Sequence, residues 1–289
     1  MFNSINIDFM KLRRGALLLS GILVLGSLAF LFTRGLNLGI DFTGGNLIQL
    51  KFQSPVEVSD VRDILSDVGQ TQAVIQSYGD GGFMIRLNAE EEAVRKEVLN
   101  ALREKYPDVE LLRFEKVGPV VGKQLRLEAL TAVGIALLGI LAYITIRFRF
   151  RFAVVSVLAL IHDSLITLGM FSLTGREISL PFIAAILTIV GYSLNDTIVV
   201  LDRIRENWKH QKSWGMVKLV NVSLNQTLSR TINTSLTTFL PVLTFFLMGG
   251  PVLANFSFAL LIGIVVGTYS SIYIASSLLV EWYAKSSSK

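Results

Sequence analysis

The sequence predicts a membrane protein, an all-α bundle of six transmembrane helices into which one α+β domain is inserted. Two observations of composition support this class: hydrophobic residues make up 52% of the 289 residues, and charged residues only 17%. A soluble domain normally carries about 25% charged residues. The third observation is that apolar runs longer than about 18 residues recur along the chain, with one long interruption at residues 34–126.

Six apolar segments are long enough to cross a bilayer as helices. Their predicted boundaries are 15–33, 127–146, 152–174, 181–201, 227–248 and 253–282, with short terminal segments at 1–14 and 283–289. The first segment follows a basic stretch but continues past Ser27-Leu28-Ala29, which loosely resembles a cleavage site. We therefore expect an uncleaved anchor rather than a signal peptide. The last segment is long, and we expect it to tilt or to project beyond the bilayer.

Lysine and arginine near the helix ends predict how the chain is oriented. They cluster before the first helix, between the second and third, between the fourth and fifth, and after the sixth. These residues are Lys11, Arg13, Arg14, Arg147, Arg149, Arg151, Arg203, Arg205, Lys209, Lys212, Lys218, Lys285 and Lys289. One orientation satisfies every connection: both termini are cytoplasmic, and the inserted domain lies outside. We interpret the net charge of +5 as this orientation signal, and we expect no nucleic-acid partner.

The inserted domain, residues 34–126, alternates between strand-like and helix-like patterns. We predict strands at 46–53, 72–77, 83–87 and 109–117, and helices at 56–68 and 89–105. The order βαββαβ defines the ferredoxin-like arrangement. The domain has no phosphate loop, catalytic triad or metal-ligand spacing. Because the chain has no cysteine and only two histidines, which lie on different segments, we expect no disulfide, no metal and no cofactor.

Two glycine-rich stretches flank the inserted domain: GIDFTGG at Gly39 to Gly45, and VGPVVG at Val117 to Gly122. Glycine permits tight turns and close approach of two backbones, and proline favours turns. One interpretation is ordinary turn chemistry where the chain leaves and re-enters the bilayer. The placement of the motifs at both edges of the domain favours a hinge that lets it move against the membrane. The residues assigned to this hinge are Gly39, Asp41, Gly44, Gly45, Gly118, Pro119 and Gly122.

Two charged residues lie inside predicted membrane helices, where charge is costly and usually functional. Asp196 lies in the fourth helix and Arg230 in the fifth. Counted from the outer helix ends at about 1.5 Å per residue, their depths are roughly 23–26 Å and 27–30 Å. If these helices are antiparallel neighbours, the arginine can reach the carboxylate. Polar residues at helical spacing accompany the charges: Thr188, Tyr192 and Asn195 in the fourth helix, and Gln226, Asn233 and Thr234 in the fifth.

The pair formed by Asp196 and Arg230 has two interpretations. Asp196 could bind a proton or a cation under the control of Arg230, because pairing favours the ionised carboxylate and desolvation favours the neutral acid. A conformational change that separates the pair could then move a proton on or off. Alternatively, the two residues form a static ion pair that holds two helices in register. Spacing alone leaves both interpretations open.

A further charged residue, Asp163, follows His162 near the middle of the third helix. A histidine beside an aspartate could relay protons. However, adjacent residues on a helix project about 100° apart and do not face each other. We therefore expect a structural role for His162 and a supporting polar role for Asp163.

Five stretches occur in order along the chain: GIDFTGG, VGPVVGKQL, IHDSLITLG, GYSLNDTIVVLDRIREN and NQTLSRTINTSLTT. Together they resemble the SecD/SecF family of protein-export membrane subunits, within the resistance–nodulation–division superfamily. The resemblance implies a place in the bacterial inner membrane, a sister subunit SecD, and work with the SecYEG channel and, indirectly, the SecA motor. It also implies that the proton-motive force promotes late translocation of a polypeptide, with Asp196 and Arg230 as the functional charges.

Three functions compete at this stage. The first is the export accessory just described, a membrane subunit surrounded by lipids. The second is a half-sized small-molecule efflux transporter of the same superfamily, which would need a ligand pocket lined by aromatic residues in its outer domain. The third is a passive scaffold of the channel. An enzyme has no support, because the chain shows neither a nucleophile–base pair nor a GxxxxGK[ST] loop. The coupling ion, proton or sodium, stays open.

Overall fold

The computed structural model describes residues 6–78, 81–87, 92–148 and 150–287. Arg149 and Lys289, used above for orientation, lie outside these ranges, as do residues 1–5 and the first residues, 89–91, of one predicted helix. The chain divides into two compact units. One comprises residues 38–131, and the other comprises the chain up to residue 37 together with the chain from residue 132 onward.

The secondary structure is mostly helical. In chain order the elements are α1 (Arg13–Thr33), β1 (Asn37–Leu38), α2 (Ile40–Thr43), β2 (Gly45–Lys51), α3 (Val58–Asp67), β3 (Val74–Tyr78), β4 (Gly82–Leu87), α4 (Glu92–Lys105), β5 (Glu110–Val117), α5 (Pro119–Arg147), α6 (Phe150–Thr174), β6 (Glu177–Ile178), α7 (Leu180–Glu206), α8 (Gln211–Met248), α9 (Gly250–Tyr269) and α10 (Ser276–Ser287). Short 3₁₀ turns precede α1 and α8, and a π-helical turn at Ser270–Ala275, called the π-turn below, joins α9 to α10.

The unit at residues 38–131 contains a four-stranded antiparallel sheet in the order β3-β4-β2-β5. Alternate residues of β2 and β4, such as Ile48 and Ile85, are paired and point to one face of the sheet. That face packs on α3 and α4 through Val61, Leu65 and Leu102, which are almost fully buried. The elements β2 to β5 follow the predicted order βαββαβ, because a two-residue and a 3.6-residue hydrophobic period both point to this single core.

The helical unit is built around α7 and α9. Helix α1 packs on α6, α6 packs on α7 and α9, and α7, α8 and α9 pack on one another. Small residues allow the closest approaches, as is common between membrane helices. A Cβ atom added to Gly169 of α6 would lie 2.7 Å from the backbone of Ser27 in α1, and one added to Gly263 of α9 would lie 2.3 Å from Ile189 in α7.

Within the residues that the structure describes, five helical segments are long and apolar enough to cross a membrane. They span Phe9–Thr33, Pro119–Arg147, Phe150–Thr174, Leu180–Met248 and Val252–Ala284. The fourth, of 69 residues, combines α7 and α8, and a straight helix of that length would be about 100 Å long, against a hydrocarbon core of about 30 Å. These two helices instead fold back on each other, since Asn207 at the end of α7 donates hydrogen bonds to Ser223 and Gln226 of α8.

Several helices extend beyond the apolar segments predicted from the sequence, and each difference has a local cause. The second membrane helix begins at Pro119 and not at residue 127, because proline at the first position of a helix loses no hydrogen bond. The fifth predicted segment, 227–248, is part of α8, which begins at Gln211 and is kinked at Gly215, whose non-helical φ of 74° only glycine adopts readily. The sixth, predicted as continuous, is interrupted by the π-turn, which hydrophobicity does not reveal.

Candidate functional site

Asp196 lies in the middle of α7 with a side chain that is 2% exposed. Its carboxylate faces α8, where it accepts hydrogen bonds from Thr234 at 3.4 Å and from Ser235 at 3.5 Å. Both distances are at the outer limit for a hydroxyl donor. The carboxylate is therefore deeply buried but weakly held by its neighbours.

The two hydroxyl donors also have other, shorter hydrogen bonds. Thr234 is 3.0 Å from the carbonyl of Arg230 and 2.9 Å from that of Thr231, both in its own helix. Ser235 lies 2.7 Å from the hydroxyl of Thr268 in α9. A hydroxyl has one proton to donate, so these bonds compete with those to Asp196. A small rotation of either side chain can thus add or remove a donor at the carboxylate.

Arg230 lies close enough to act electrostatically on Asp196. The predicted contact is nevertheless absent: among the described residues, Arg230 has no carboxylate partner within 4 Å, and its side chain is exposed on α8. It lines a cavity of about 270 Å³ between α7 and α8, together with Asn195, Asp202 and Gln226. The helices are rotated so that Thr234 and Ser235, not Arg230, point at the carboxylate.

The remaining predicted polar residues separate into two groups. Asn195 and Gln226 line the cavity with Arg230, whereas Thr188 and Asn233 are exposed on the surfaces of α7 and α8. Thr188 donates to Ala184 of its own helix, so it does not assist Asp196. The hydroxyl of Tyr192 is buried and has no hydrogen-bond partner among the described residues. The single polar stripe predicted for each helix thus faces several different surroundings.

His162 and Asp163 contact each other, contrary to the prediction from helix geometry. The ring Nδ1 of His162 lies 2.8 Å from Oδ1 of Asp163, and both side chains are buried. Their Cβ atoms diverge around the helix, but the imidazole Nδ1 is close to its own backbone and the ring can turn back toward the next residue. The other carboxylate oxygen accepts hydrogen bonds from Ser193 of α7 and, at 2.8 Å, from Ser270 of the π-turn.

Sequence reasoning missed four hydroxyl residues of these sites: Ser193, Ser235, Thr268 and Ser270. Ser193 precedes Asp196 by one helical turn, and that spacing could have identified it. Ser270 belongs to the run GTYSSIYIASS, whose serines are unusual in the last membrane segment. Thr268 belongs to the same run, and Ser235 lies in a polar run without a distinguishing spacing. Their role depends on which helices become neighbours.

The two glycine-rich motifs lie against each other within the unit of residues 38–131. A Cβ atom added to Gly44 would lie 2.9 Å from the Cα of Pro119, and one added to Gly122 would lie 3.0 Å from the backbone nitrogen of Gly44. Gly44 and Gly45 also have φ angles of 74° and 120°. The short helix α2 precedes Gly44, and the carbonyl of Gly39 accepts hydrogen bonds from two of its backbone amides. The backbone of Asp41 faces Gly122. Gly118 has open space around it.

Comparison with protein families identifies two matching segments. Residues 97–285 match the family described as protein export membrane protein SecD/SecF, C-terminal, and residues 29–56 match the SecD/SecF GG motif. The first match includes Asp163, Asp196 and Arg230. The second includes Gly44 and Gly45, where the backbone geometry requires glycine.

Individual relatives match over nearly the whole chain. The protein translocase subunit SecF of Desulfurispirillum indicum is 48% identical over 287 residues, which is 96% of this chain and 91% of that protein. The protein translocase subunit SecDF of Thermus thermophilus is 46% identical over 271 residues, 90% of this chain but 36% of the relative. The crystal structure of a Thermus SecDF superposes with a TM-score of 0.91 at 43% identity, covering 97% of this chain and 39% of the other.

Proposed function

Because the chain belongs to the SecD/SecF family of protein-export membrane proteins, as a SecF-type subunit, we propose that it uses the proton-motive force to promote late steps of polypeptide translocation. It is a multi-pass membrane transport protein and not an enzyme. The proposed coupling residue is Asp196, which binds a proton in one conformation of the bundle and releases it in another. Arg230 controls this exchange from the adjoining cavity.

The observation that carries this proposal is the weak hold on a deeply buried carboxylate. Asp196 is 2% exposed, and its nearest donors lie at 3.4 and 3.5 Å. A buried charge that is poorly compensated is costly in a membrane protein, so small movements decide whether the neutral or the ionised form is favoured. The cavity beside it holds Arg230 and opens next to α7 and α8, where it offers an approach for water.

The proposed topology has six membrane crossings, with α7 and α8 crossing separately. Both termini lie in the cytoplasm, and the unit of residues 38–131 lies outside. Its support is the helical hairpin between α7 and α8, which is too long to cross once, and the basic residues at one end of the bundle, such as Arg147, Arg203 and Arg205.

The proposed partners are SecD, the SecYEG channel, the moving polypeptide and, indirectly, SecA. The relative named SecDF, of which this chain spans about two fifths, supports a partner subunit of the SecD type. The exposed polar residues of α7 and α8 also support it, because lipid does not tolerate side chains such as Asn195, Arg230 and Asn233. SecD would cover this face and close the cavity beside Arg230.

The proposed output is a movement of the outer unit, with the glycine-rich motifs as its hinge. The close contact between Gly44 and Pro119 supports a joint of fixed geometry at this position, because any side chain at residue 44 would overlap the backbone of Pro119. Gly118 lies between Val117, which pairs with Gly45, and Pro119, so a rotation at this hinge would have to loosen the joint.

The test follows completion of a trapped translocation intermediate in inverted membrane vesicles that contain SecYEG, SecA and SecD. ATP is removed, and completion is measured with and without a proton gradient for wild type and Asp196→Asn. We expect the gradient to drive completion in wild type only, because the amide cannot bind and release a proton. A matched control is Asp63→Asn, the same change at an exposed position of α3, which should respond as wild type does.

The opposite outcome has a specific meaning. If the Asp196→Asn protein is as abundant as wild type and responds equally to the gradient, the proposed function fails and the chain acts as a scaffold. Repeating the wild-type assay with a sodium gradient in place of the proton gradient identifies the coupling ion. Completion driven by sodium alone would contradict the proton.

A further inference from the structure

Asp163 is the second buried carboxylate of the bundle, and its surroundings differ from those of Asp196. It is 1% exposed, accepts hydrogen bonds from Ser193 and Ser270, and has a third hydrogen bond with the ring of His162. The donors come from α7, from the π-turn and from α6 itself. Because the oxygens are in direct hydrogen-bond contact, no space for a metal ion is left between them. The chemistry of this cluster is that of proton binding.

Charge balance requires a proton at this cluster. A carboxylate alone in the interior of a membrane bundle is costly unless a positive charge accompanies it. Among the described residues the base in contact with Asp163 is His162, and its Nε2 is buried without a hydrogen-bond partner. With one proton, shared between Nδ1 and Oδ1, the pair has a net charge of −1; the neutral pair carries a second proton on Nε2, as imidazolium with carboxylate or as imidazole with carboxylic acid. The unpaired Nε2 is the nitrogen at which a proton can enter or leave.

Other ionisable side chains near α6 do not supply this counter-charge. The elements packed on α6 are α1, α7, α9, the π-turn and α10. Their described ionisable residues are Arg13, Arg14, Tyr192, Asp196, Asp202, Arg203, Arg205, Glu206, Tyr269, Tyr273, Glu281 and Tyr283. Tyr269 stacks on the ring of His162 at 6.3 Å, but its hydroxyl donates to the carbonyl of Ala16. Arg13 is paired with Glu281.

The cluster around Asp163 is linked to Asp196 from two sides. Along α7, Ser193 and Asp196 are separated by three residues and lie on neighbouring positions of one face. Through α9 and the π-turn, Thr268 contacts Ser235 beside Asp196, and Ser270 contacts Asp163. A change of protonation at one carboxylate reorients the hydroxyl groups bonded to it. These groups lie on elements, α7 or α9 with the π-turn, that also contact the other carboxylate.

The packing between these two sites is too tight to absorb such a movement. A Cβ atom added to Gly267 of α9 would lie 3.0 Å from the Cβ of Ser193. The π-turn begins at Ser270, directly after this contact, and brings Ser270 to Asp163. Single π-turns within membrane and soluble helices are frequent at functional sites. The π-turn thus allows the hydrogen bond from Ser270 to Asp163, because a regular α-helix would direct this side chain elsewhere.

We propose that His162 and Asp163, with Ser193 and Ser270, form a second proton-binding site that is coupled to Asp196. The pair shares one proton between Nδ1 of His162 and Oδ1 of Asp163, and exchange with the rest of the protein occurs at Nε2. This inference rests on the proposed function insofar as Asp196 changes its protonation. It adds a second site whose protonation responds to the first.

The test reads His162 directly by NMR of the full chain, labelled with ¹⁵N-histidine, in lipid nanodiscs. The chain has two histidines, so the substitution His210→Gln leaves His162 as the single labelled residue. Its ring nitrogens report tautomer and charge between about pH 5 and about pH 8, where histidine changes charge. We expect Asp163→Asn to abolish the shared-proton signal at Nδ1. We expect Asp196→Asn to change the proton affinity of His162 at least threefold.

A second variant guards against misfolding of the Asp163→Asn protein. Ser270→Ala keeps the carboxylate but removes one hydrogen bond to it, so we expect the ring-nitrogen signals of His162 to change. Ser156→Ala, a buried hydroxyl of α6 that donates to Phe152 in the same helix, should leave the His162 signals unchanged.

Three results would overturn the second site: His162 signals that stay the same when Asp163 or Ser270 is replaced, a proton affinity that ignores Asp196→Asn, or a ring that keeps one protonation state throughout the pH range. The NMR measurement involves no translocation. A failure of the gradient assay would therefore reject the proposed function and leave the His162 result to be judged separately.

Discussion

The two most deeply buried carboxylates among the described residues, Asp163 and Asp196, are equally hidden but differently held. Asp163 and Asp196 are 1% and 2% exposed. Asp163 accepts hydrogen bonds from two serines and has a third with His162; those with Ser270 and His162 measure 2.8 Å. Asp196 is bonded by two hydroxyls at 3.4 and 3.5 Å that have better partners elsewhere. Burial by itself therefore does not indicate which carboxylate is built to change state; the number and quality of the donors do.

This difference suggests a division of labour within one bundle. Well-made hydrogen bonds in a low-dielectric interior reinforce one another and fix the geometry of the groups they join. The Asp163 cluster ties α6, α7 and the π-turn together while it holds its proton. The Asp196 site lies between helices whose hydroxyls can choose other acceptors, so it can respond to ions and to movement of α8.

The largest expected effect tests this contrast through stability. Asp163→Ala should lower the free energy of unfolding by about 3 kcal/mol, since it leaves His162 and two serines without their acceptor. Asp196→Ala should lower it by about 1 kcal/mol, because it removes two weak bonds. Thermal unfolding of both variants in the same detergent measures the difference, with Ser156→Ala as control. Equal losses would mean that the two carboxylates are structurally equivalent.

The next effect concerns the packing that couples the sites. Gly263→Ala should destabilise the bundle by about 2 kcal/mol, because its Cβ would overlap the branched side chain of Ile189, which cannot easily move aside. It should also weaken the response of His162 to Asp196→Asn in the NMR titration.

The matched control for this change is Gly191→Ala in α7. No atom lies within 4 Å of the added Cβ at this position, so the substitution should be neutral or stabilise by up to about 1 kcal/mol through helix propensity. If both alanine variants have the same unfolding temperature, the contact of Gly263 with Ile189 does not limit the packing of α7 on α9. If both leave the response of His162 to Asp196→Asn unchanged, this contact does not couple the sites.

The smallest effect distinguishes two serines of the last membrane segment. Ser270→Ala removes a hydrogen bond to Asp163 and should cost about 1 kcal/mol. The hydroxyl of Ser277 is also buried but has no partner among the described residues, so Ser277→Ala should be neutral or slightly stabilising. Both are measured in the same thermal unfolding assay. A larger loss for Ser277→Ala would show that the contact with Asp163 is not the main role of this serine run.

Much of the fold was predictable because local patterns and the global core agree. In the outer unit, the predicted strand at 46–53 and helix at 56–68 correspond to β2 and α3 within a few residues. The apolar residues of each element repeat with the period of that element, and they converge on one core. Where a helix begins before the predicted segment, as α5 does at Pro119, the cause is that proline is compatible both with a turn and with the start of a helix.

By itself the sequence determined that the chain is a membrane protein, which segments are apolar, and that charge at residues 163, 196 and 230 must be accommodated in the interior, because these depend on composition and on spacing along one helix. Only the tertiary structure decided how the charges are used. The rotation of α8 turns Thr234 and Ser235 toward Asp196 and leaves Arg230 in the cavity. The π-turn brings Ser270 to Asp163, 107 positions away in the chain. Such contacts depend on helix rotation and neighbour choice, which hydrophobic periodicity does not specify to the precision of a hydrogen bond.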